Sequence, residues 1–206
     1  MKDSEMYFWI AMGIFLMIML SIVTEAKSTK QPDINPGNSV YLSGELTEER
    51  ALETGSRLME MSQKMGRSRE PIYLVIDTRG GNLLAERTLA ATADILTHEI
   101  ATVTCFSAGT GFNLVQRLGR RYIAEKGIMV AVRPIGGLHG VTAGEMVTKY
   151  DQVRETINAT NIRNSNRMGI TVDEFIKMTE NELWVTGKDV VSKGAADEVV
   201  SQTVCK

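Results

Sequence analysis

Histidine, cysteine and proline are scarce in this sequence, with two, two and four copies in 206 residues. So few imidazoles and thiols leave almost no ligands for a metal cluster. Cys105 and Cys205 show neither metal-ligand spacing nor a disulfide framework, and Cys105 reads as a small buried apolar side chain. An excess of one charge sign is also missing. Twenty-three basic residues against 25 acidic ones leave a net charge of −2, which provides no electrostatic footprint for a nucleic-acid partner. Internal repeats and low-complexity tracts are absent too, which excludes solenoids and arrays. The length fits one domain plus an appendage.

The clearest compositional event is an apolar run, "MYFWIAMGIFLMIMLSIV", over residues 6–23. As a helix it would reach ~27 Å, enough for a bilayer core of ~30 Å. Residues 1–5 are then a short flank, 6–23 a transmembrane anchor, 24–38 a tether carrying two prolines, and 39–206 the folded domain. A cleavable signal peptide is the rival reading, with Thr24 and Ala26 as small residues ahead of Lys27. Lys2 faces Lys27 and Lys30 across the segment, and we read the domain as lying outside the cytoplasm, in the periplasm.

Beyond the tether, "VYL" reads as a short strand, and Thr47 as the cap of a helix with Glu48 and Glu49 in its first turn and Gly66 at its end. "PIYLVID" is a nearly continuous apolar run, as in strands buried on both faces, and "LLAERTLAATADIL" reads as helix. The alternation repeats with "IATVTCF", "GTGFNLVQRLG", then "RRYIA" and "IMVAV", which predicts parallel β-α-β units and an α/β fold. Residues 143–166 read as a long polar helix whose sparse stripe of Val147, Tyr150, Val153 and Ile157 needs a covering surface. A short acidic helix from Val172, a loop, a helix and a final strand close the chain.

Two glycine-bearing turns, "DTRGGN" and "CFSAGTG", fall where strands end and helices begin, the place at which open parallel sheets gather their chemistry. Ser107 is either a nucleophile at such a turn or a small polar residue where glycines let the chain bend. The blocks "VYLSGELTEERALETGSRLMEM", "PIYLVIDTRGGN", the Ser107 turn, "GRRYIAEKGIMVAVRPIGG" and "MTENELWVTGKDVVSKGAADEVV" resemble, in this order, the ClpP family. That family comprises the Clp protease proteolytic subunits and their periplasmic ClpP-class relatives. The resemblance covers residues 39–200, and "IDTRGGN" is its most specific part, similar to the family's Ile-Asn-Ser-Pro-Gly-Gly-Ser.

The resemblance implies a ClpP/crotonase-like β-α-β spiral, assembly into rings, and a Ser-His-Asp peptidase site. An ungapped count back from "GRRY" places Ser107 on the nucleophile. An alternative alignment, with its gap in the preceding loop, puts Gly109 there. Gly80 and Gly81 match the oxyanion-hole glycines, with the N–H of Ala108 as the second donor. Val132 stands where the family has its general-base histidine, and Met178 where it has the orienting aspartate. Arg79 and Arg133 replace the Pro and Gln that line the family's site, and two guanidinium groups there would favour an anionic group such as a C-terminal carboxylate.

A serine without a base is a poor nucleophile. His139 in "GGLHG", with Glu145 as the nearest acidic orienter, is one possible replacement; Lys126 and Lys149 are others, although no spacing points them at Ser107. His98 reads as a structural histidine at a helix end. The expectation is therefore a membrane-tethered ClpP-like protein with a degenerate site, serving as a protein-binding or assembly module and forming homo-oligomers. The alternative is an atypical serine endopeptidase using Ser107 with His139 or another subunit's base. Acyl-CoA chemistry on the same spiral fold lacks a suitable acid or base. No cofactor and no metal is implied.

Overall fold

The computed structural model describes residues 31–133, 143–201 and 204–205. The apolar run at 6–23 and His139 lie outside the described residues. Among the described residues no helix is long and apolar enough to cross a membrane. Six strands form one sheet: β1 (Ser39–Ser43), β2 (Ile72–Thr78), β3 (Ile100–Ala108), β4 (Arg121–Ala131), β5 (Leu183–Thr186) and β6 (Glu198–Val200). The helices are α1 (Glu48–Met65), α2 (Leu83–Asp94), α3 (Thr110–Arg117), α4 (Ala143–Met168), α5 (Val172–Met178) and α6 (Gly187–Ser192).

Strands β1 to β4 are parallel and lie side by side in chain order, as the alternating sequence pattern predicts. Right-handed crossovers in that order carry the connecting helices to one face of the sheet. That face holds the larger core: Ile72, Leu74 and Ile76 of β2 meet Leu58 of α1, Leu89 of α2 and Phe112 of α3. The alternate residues Tyr73 and Val75 point the other way, into a smaller cluster with Val103, Tyr122, Ile34, Val200 and Val204. Strand β2 is thus buried on both faces, which is why its sequence is almost wholly apolar.

Local signals behave as their chemistry dictates. The Thr47 side chain accepts from the Arg50 N–H to start α1, and Gly66 ends that helix at φ 59°. Thr171 and Glu174 form a capping box on α5.

Several expectations are corrected. "LWVT", read as loop, is β5, antiparallel to β4. "RRYIA" and "IMVAV" fall in one strand, β4, whose pairing with β3 shifts register between Ile123 and Ile128. The folded unit also starts earlier than residue 39: Ile34 is buried, and Asn38 donates to the Asp33 carbonyl. The largest correction concerns the cysteines. Cys105 and Cys205 form a disulfide, with Cα atoms 5.6 Å apart across a sequence separation of 100. That separation hid the pairing, since only the folded sheet brings the C-terminus back to β3.

Candidate functional site

The site lies at the carboxyl ends of β2 and β3, where the chain turns into α2 and α3. After Thr78 the backbone passes through Gly80 at φ 88° and Gly81 at φ 155°. Both glycines are dictated by crowding as well as by these angles. A Cβ on Gly80 would come within 2.5 Å of the Ala108 carbonyl oxygen, and one on Gly81 within 2.5 Å of the Leu46 carbonyl oxygen. Leu46 donates to the Gly80 carbonyl and accepts from the Asn82 N–H, so the turn is stitched to the segment after β1. The Asn82 side chain then caps α2 by accepting from the Leu84 N–H at 2.7 Å.

Within this turn the two glycine N–H groups differ. Gly80 donates to the Thr78 hydroxyl at 3.0 Å, whereas the bridge between Leu46 and Gly81 leaves the Gly81 N–H outside its two hydrogen bonds. Gly81 is exposed and Gly80 is buried. Of the two candidate oxyanion donors, the geometry offers Gly81.

The second turn places the sequence-derived residues differently from expectation. Ser107 is still inside β3, paired with Thr78 on one side and Met129 on the other. Its exposure is 0%, and its hydroxyl has no hydrogen-bond partner among the described residues. The residue at the strand-to-helix bend is Gly109, the N-cap of α3, at φ 55° and ψ −118°. Such a sharp, strained strand-to-helix bend is what exposes the nucleophile in elbow-type hydrolase sites. A Cβ built on Gly109 would lie 3.5 Å from Cγ2 of Val132, an ordinary contact, and 4.0 Å from the Arg79 carbonyl oxygen. Position 109 therefore points at Val132.

The remaining candidates fall into two groups. Val132 is partly buried at the end of β4, and its neighbour Arg133 pairs with Glu180 at 3.3 Å, two residues beyond Met178. That contact brings the end of α5 to the end of β4. Met178 itself packs against the larger core. Ala108 turns its carbonyl towards Gly80, while Thr110 supplies the first N–H of α3 beside it. Arg79 is exposed and lines an open groove of about 780 Å3 with Gly44, Glu45, Asp77, Gly80, Gly81 and Phe106. Arg133 is paired with Glu180, and Arg79 shares its groove with the carboxylates of Glu45 and Asp77.

His98 precedes β3 at the opposite end of the strand, is buried, and contacts the Ser62 hydroxyl through Nδ1 at 2.8 Å. Lys126 and Lys149 are exposed, on β4 and α4. Glu145 is exposed in the first turn of α4. Among the described residues no group of His, Cys, Asp and Glu could hold a metal ion.

Sequence reasoning underweighted Gly109 and did not single out Thr110. The signal for Gly109 was present in the alternative alignment, which puts it on the nucleophile position; Thr110 had none.

A mostly parallel sheet with its connecting helices on one face and its candidate site at two neighbouring strand-to-helix turns defines the class as an α/β protein of the β-α-β crossover type. The family model for Clp protease matches residues 27–203, and the chain belongs to that family. It is similar to the ATP-dependent Clp protease proteolytic subunit 2 of Cutibacterium acnes, 23% identical over 165 residues, 79% of this chain and 76% of the relative. It is likewise similar to proteolytic subunit 1 of Leifsonia xyli subsp. xyli, 24% identical over 163 residues, 78% of this chain and 81% of the relative. A proteolytic subunit from Streptococcus suis is 24% identical over 139 residues, covering 66% of this chain and 71% of the relative.

Proposed function

We propose that this chain is a Clp-protease-family module without peptidase chemistry, which engages protein or peptide through the groove beside Gly80 and Gly81. The observation that carries this reading is Gly109. It holds the bend that would present a nucleophile, yet has no side chain, and the residue facing it is Val132. Valine takes no proton, so neither half of a nucleophile and base pair is present there. Ser107 does not substitute, because its side chain is enclosed between β3 and α3.

The same reading includes an extracytoplasmic location and self-association. The Cys105–Cys205 disulfide supports the first, since disulfides persist in oxidising compartments. It agrees with an N-terminal apolar run acting as an anchor. For the second, Tyr150 and Val153 are exposed on α4, and a second copy of the chain is the surface we assign to them.

The test is labelling of the whole 206-residue chain with a fluorophosphonate probe. No labelling is expected. Labelling that disappears in Ser107→Ala would overturn the proposal in favour of an atypical peptidase. A gain of labelling in Gly109→Ser combined with Val132→His and Met178→Asp would support assignment of the vacant nucleophile position to residue 109.

A further inference from the structure

Strand β6 lies on the far edge of β4, pairing Tyr122 with Glu198 and Ala124 with Val200. Cys205 nevertheless bonds to Cys105 in β3, which flanks β4 on the other side. The C-terminus is therefore carried past β4 on the face opposite the connecting helices. It caps the smaller apolar cluster there: Val200 and Val204 are buried with Tyr73, Val75, Val103 and Tyr122. Both cysteines are only partly buried, so an external thiol can approach. Cys105 also sits in the register shift between Thr104 and Phe106, and Phe106 lines the groove.

We propose that Cys105–Cys205 is a thiol–disulfide exchange site, opened by a dithiol reductant, that releases the C-terminal segment from the second face of the sheet. One thiolate of the reductant attacks Cys205 Sγ, the Sγ–Sγ bond breaks, and Cys105 leaves as a thiolate that takes up a proton. The second thiolate of the reductant then attacks its own sulfur in the mixed disulfide and frees Cys205, which is also protonated. Two electrons and two protons pass to the cysteines, and the dithiol becomes a disulfide. The remaining sheet keeps its larger core, because no residue of that core belongs to the released segment beyond β6. Release instead uncovers Val75, Val103 and the two tyrosines beside them, and unpins the strand residue next to Phe106. This inference does not rest on the reading of the groove as a binding site.

The experiment combines thiol titration with carboxypeptidase digestion of the whole chain, before and after dithiothreitol, and includes Cys205→Ser. The native chain should titrate no thiol before reduction and two afterwards. Carboxypeptidase should trim the reduced chain about tenfold faster or more, as expected for a segment freed to open locally. The far-UV circular dichroism should stay unchanged, and Cys205→Ser should be trimmed at the fast rate with or without reductant. Two reactive thiols in the native chain would overturn the proposal by removing the bond. Unchanged trimming after reduction would overturn it as well. Loss of the far-UV signal on reduction would make the bond a structural staple instead of a releasable one, and that result on the native chain decides the matter even if the variant fails to fold.

Discussion

The two ends of the sheet hold their geometry in opposite ways. At the carboxyl ends of β2 and β3 almost everything is backbone: Gly80, Gly81 and Gly109 occupy positive φ, and carbonyls of Leu46 and Ala108 press against the first two. At the start of β4 almost everything is side chain. Arg121 is buried, donates from its backbone N–H to Asp197 at 2.8 Å, and reaches the Gly194 carbonyl at 2.9 Å. Gln116 from α3 donates to the Ala195 carbonyl at 2.8 Å and accepts from Arg121. The difference teaches that the shape of a turn and the polar contacts of a clamp depend on separate kinds of group. A turn fixed by backbone crowding retains its shape whatever stands at 132 or 178, whereas a polar clamp cannot lose one member without stranding the others.

The strongest way to break this comparison is to crowd the glycine turn. Gly80→Ala places a Cβ into the Ala108 carbonyl at φ 88°, with backbone on both sides and no flexible neighbour to give way. A loss of about 3 to 4 kcal/mol is expected in urea unfolding. Gly109→Ala should cost only about 1 to 2 kcal/mol, because its Cβ meets Val132 at an ordinary distance and only the backbone angle is strained. Equal losses at the two positions would mean that crowding does not hold the first turn.

Next in size is the clamp. Arg121→Ala removes a buried cation and leaves Gln116 and Asp197 without it, which should cost about 2 to 3 kcal/mol. Its pH dependence gives the sign. Burial pushes the Asp197 carboxyl up, but hydrogen bonds and charge from Arg121, with further help from Arg167, outweigh it and hold the group below its usual range. An acid whose folded pKa is depressed contributes stability above its unfolded value, and that contribution is lost as pH falls through the folded one. The native chain should therefore lose stability as pH drops below about 4. The same acid titration on Asp197→Asn should show a shallower fall over that range, and an identical fall would remove Asp197 from the acid sensitivity.

The sequence makes the backbone half of this comparison far easier to read than the side-chain half. Glycine pairs, Thr47, Gly66 and the apolar run of β2 carry their meaning locally, because turn, cap and two-sided burial each follow from a few adjacent residues. Two of the partners of Arg121, Asp197 and Gly194, lie far along the chain, and the partner of Cys105 is 100 residues away. Such pairings exist only once the sheet order is known. The misplacement of Ser107 has a related cause. Counting back from "GRRY" without a gap ignores that β3 is fixed at its other end by pairing Ile100 with Ile72, and the strand then reaches Ala108 before it can turn. Two residues along the chain decide whether a hydroxyl stands at the bend or lies buried between β3 and α3.

The smallest expected effect follows from that placement. Ser107 is fully buried, its hydroxyl has no hydrogen-bond partner among the described residues, and it faces the helical backbone at Gly111, whose hypothetical Cβ would lie 3.7 Å from the serine Cβ. Ser107→Ala removes one polar atom that burial has deprived of water, and the space it leaves is small. The loss of packing and the relief of an unsatisfied group oppose each other, so the change in stability should lie within about 0.5 kcal/mol, with relief favouring the variant. A thermal melt of the variant against the native chain measures it. A clear loss, above about 1 kcal/mol, would show that the hydroxyl has a partner in solution, since only a made hydrogen bond or an ordered polar contact would be worth that much here. Such a result would bring Ser107 back as a residue whose polarity the site uses, and it would weaken the assignment of the vacant nucleophile position to Gly109.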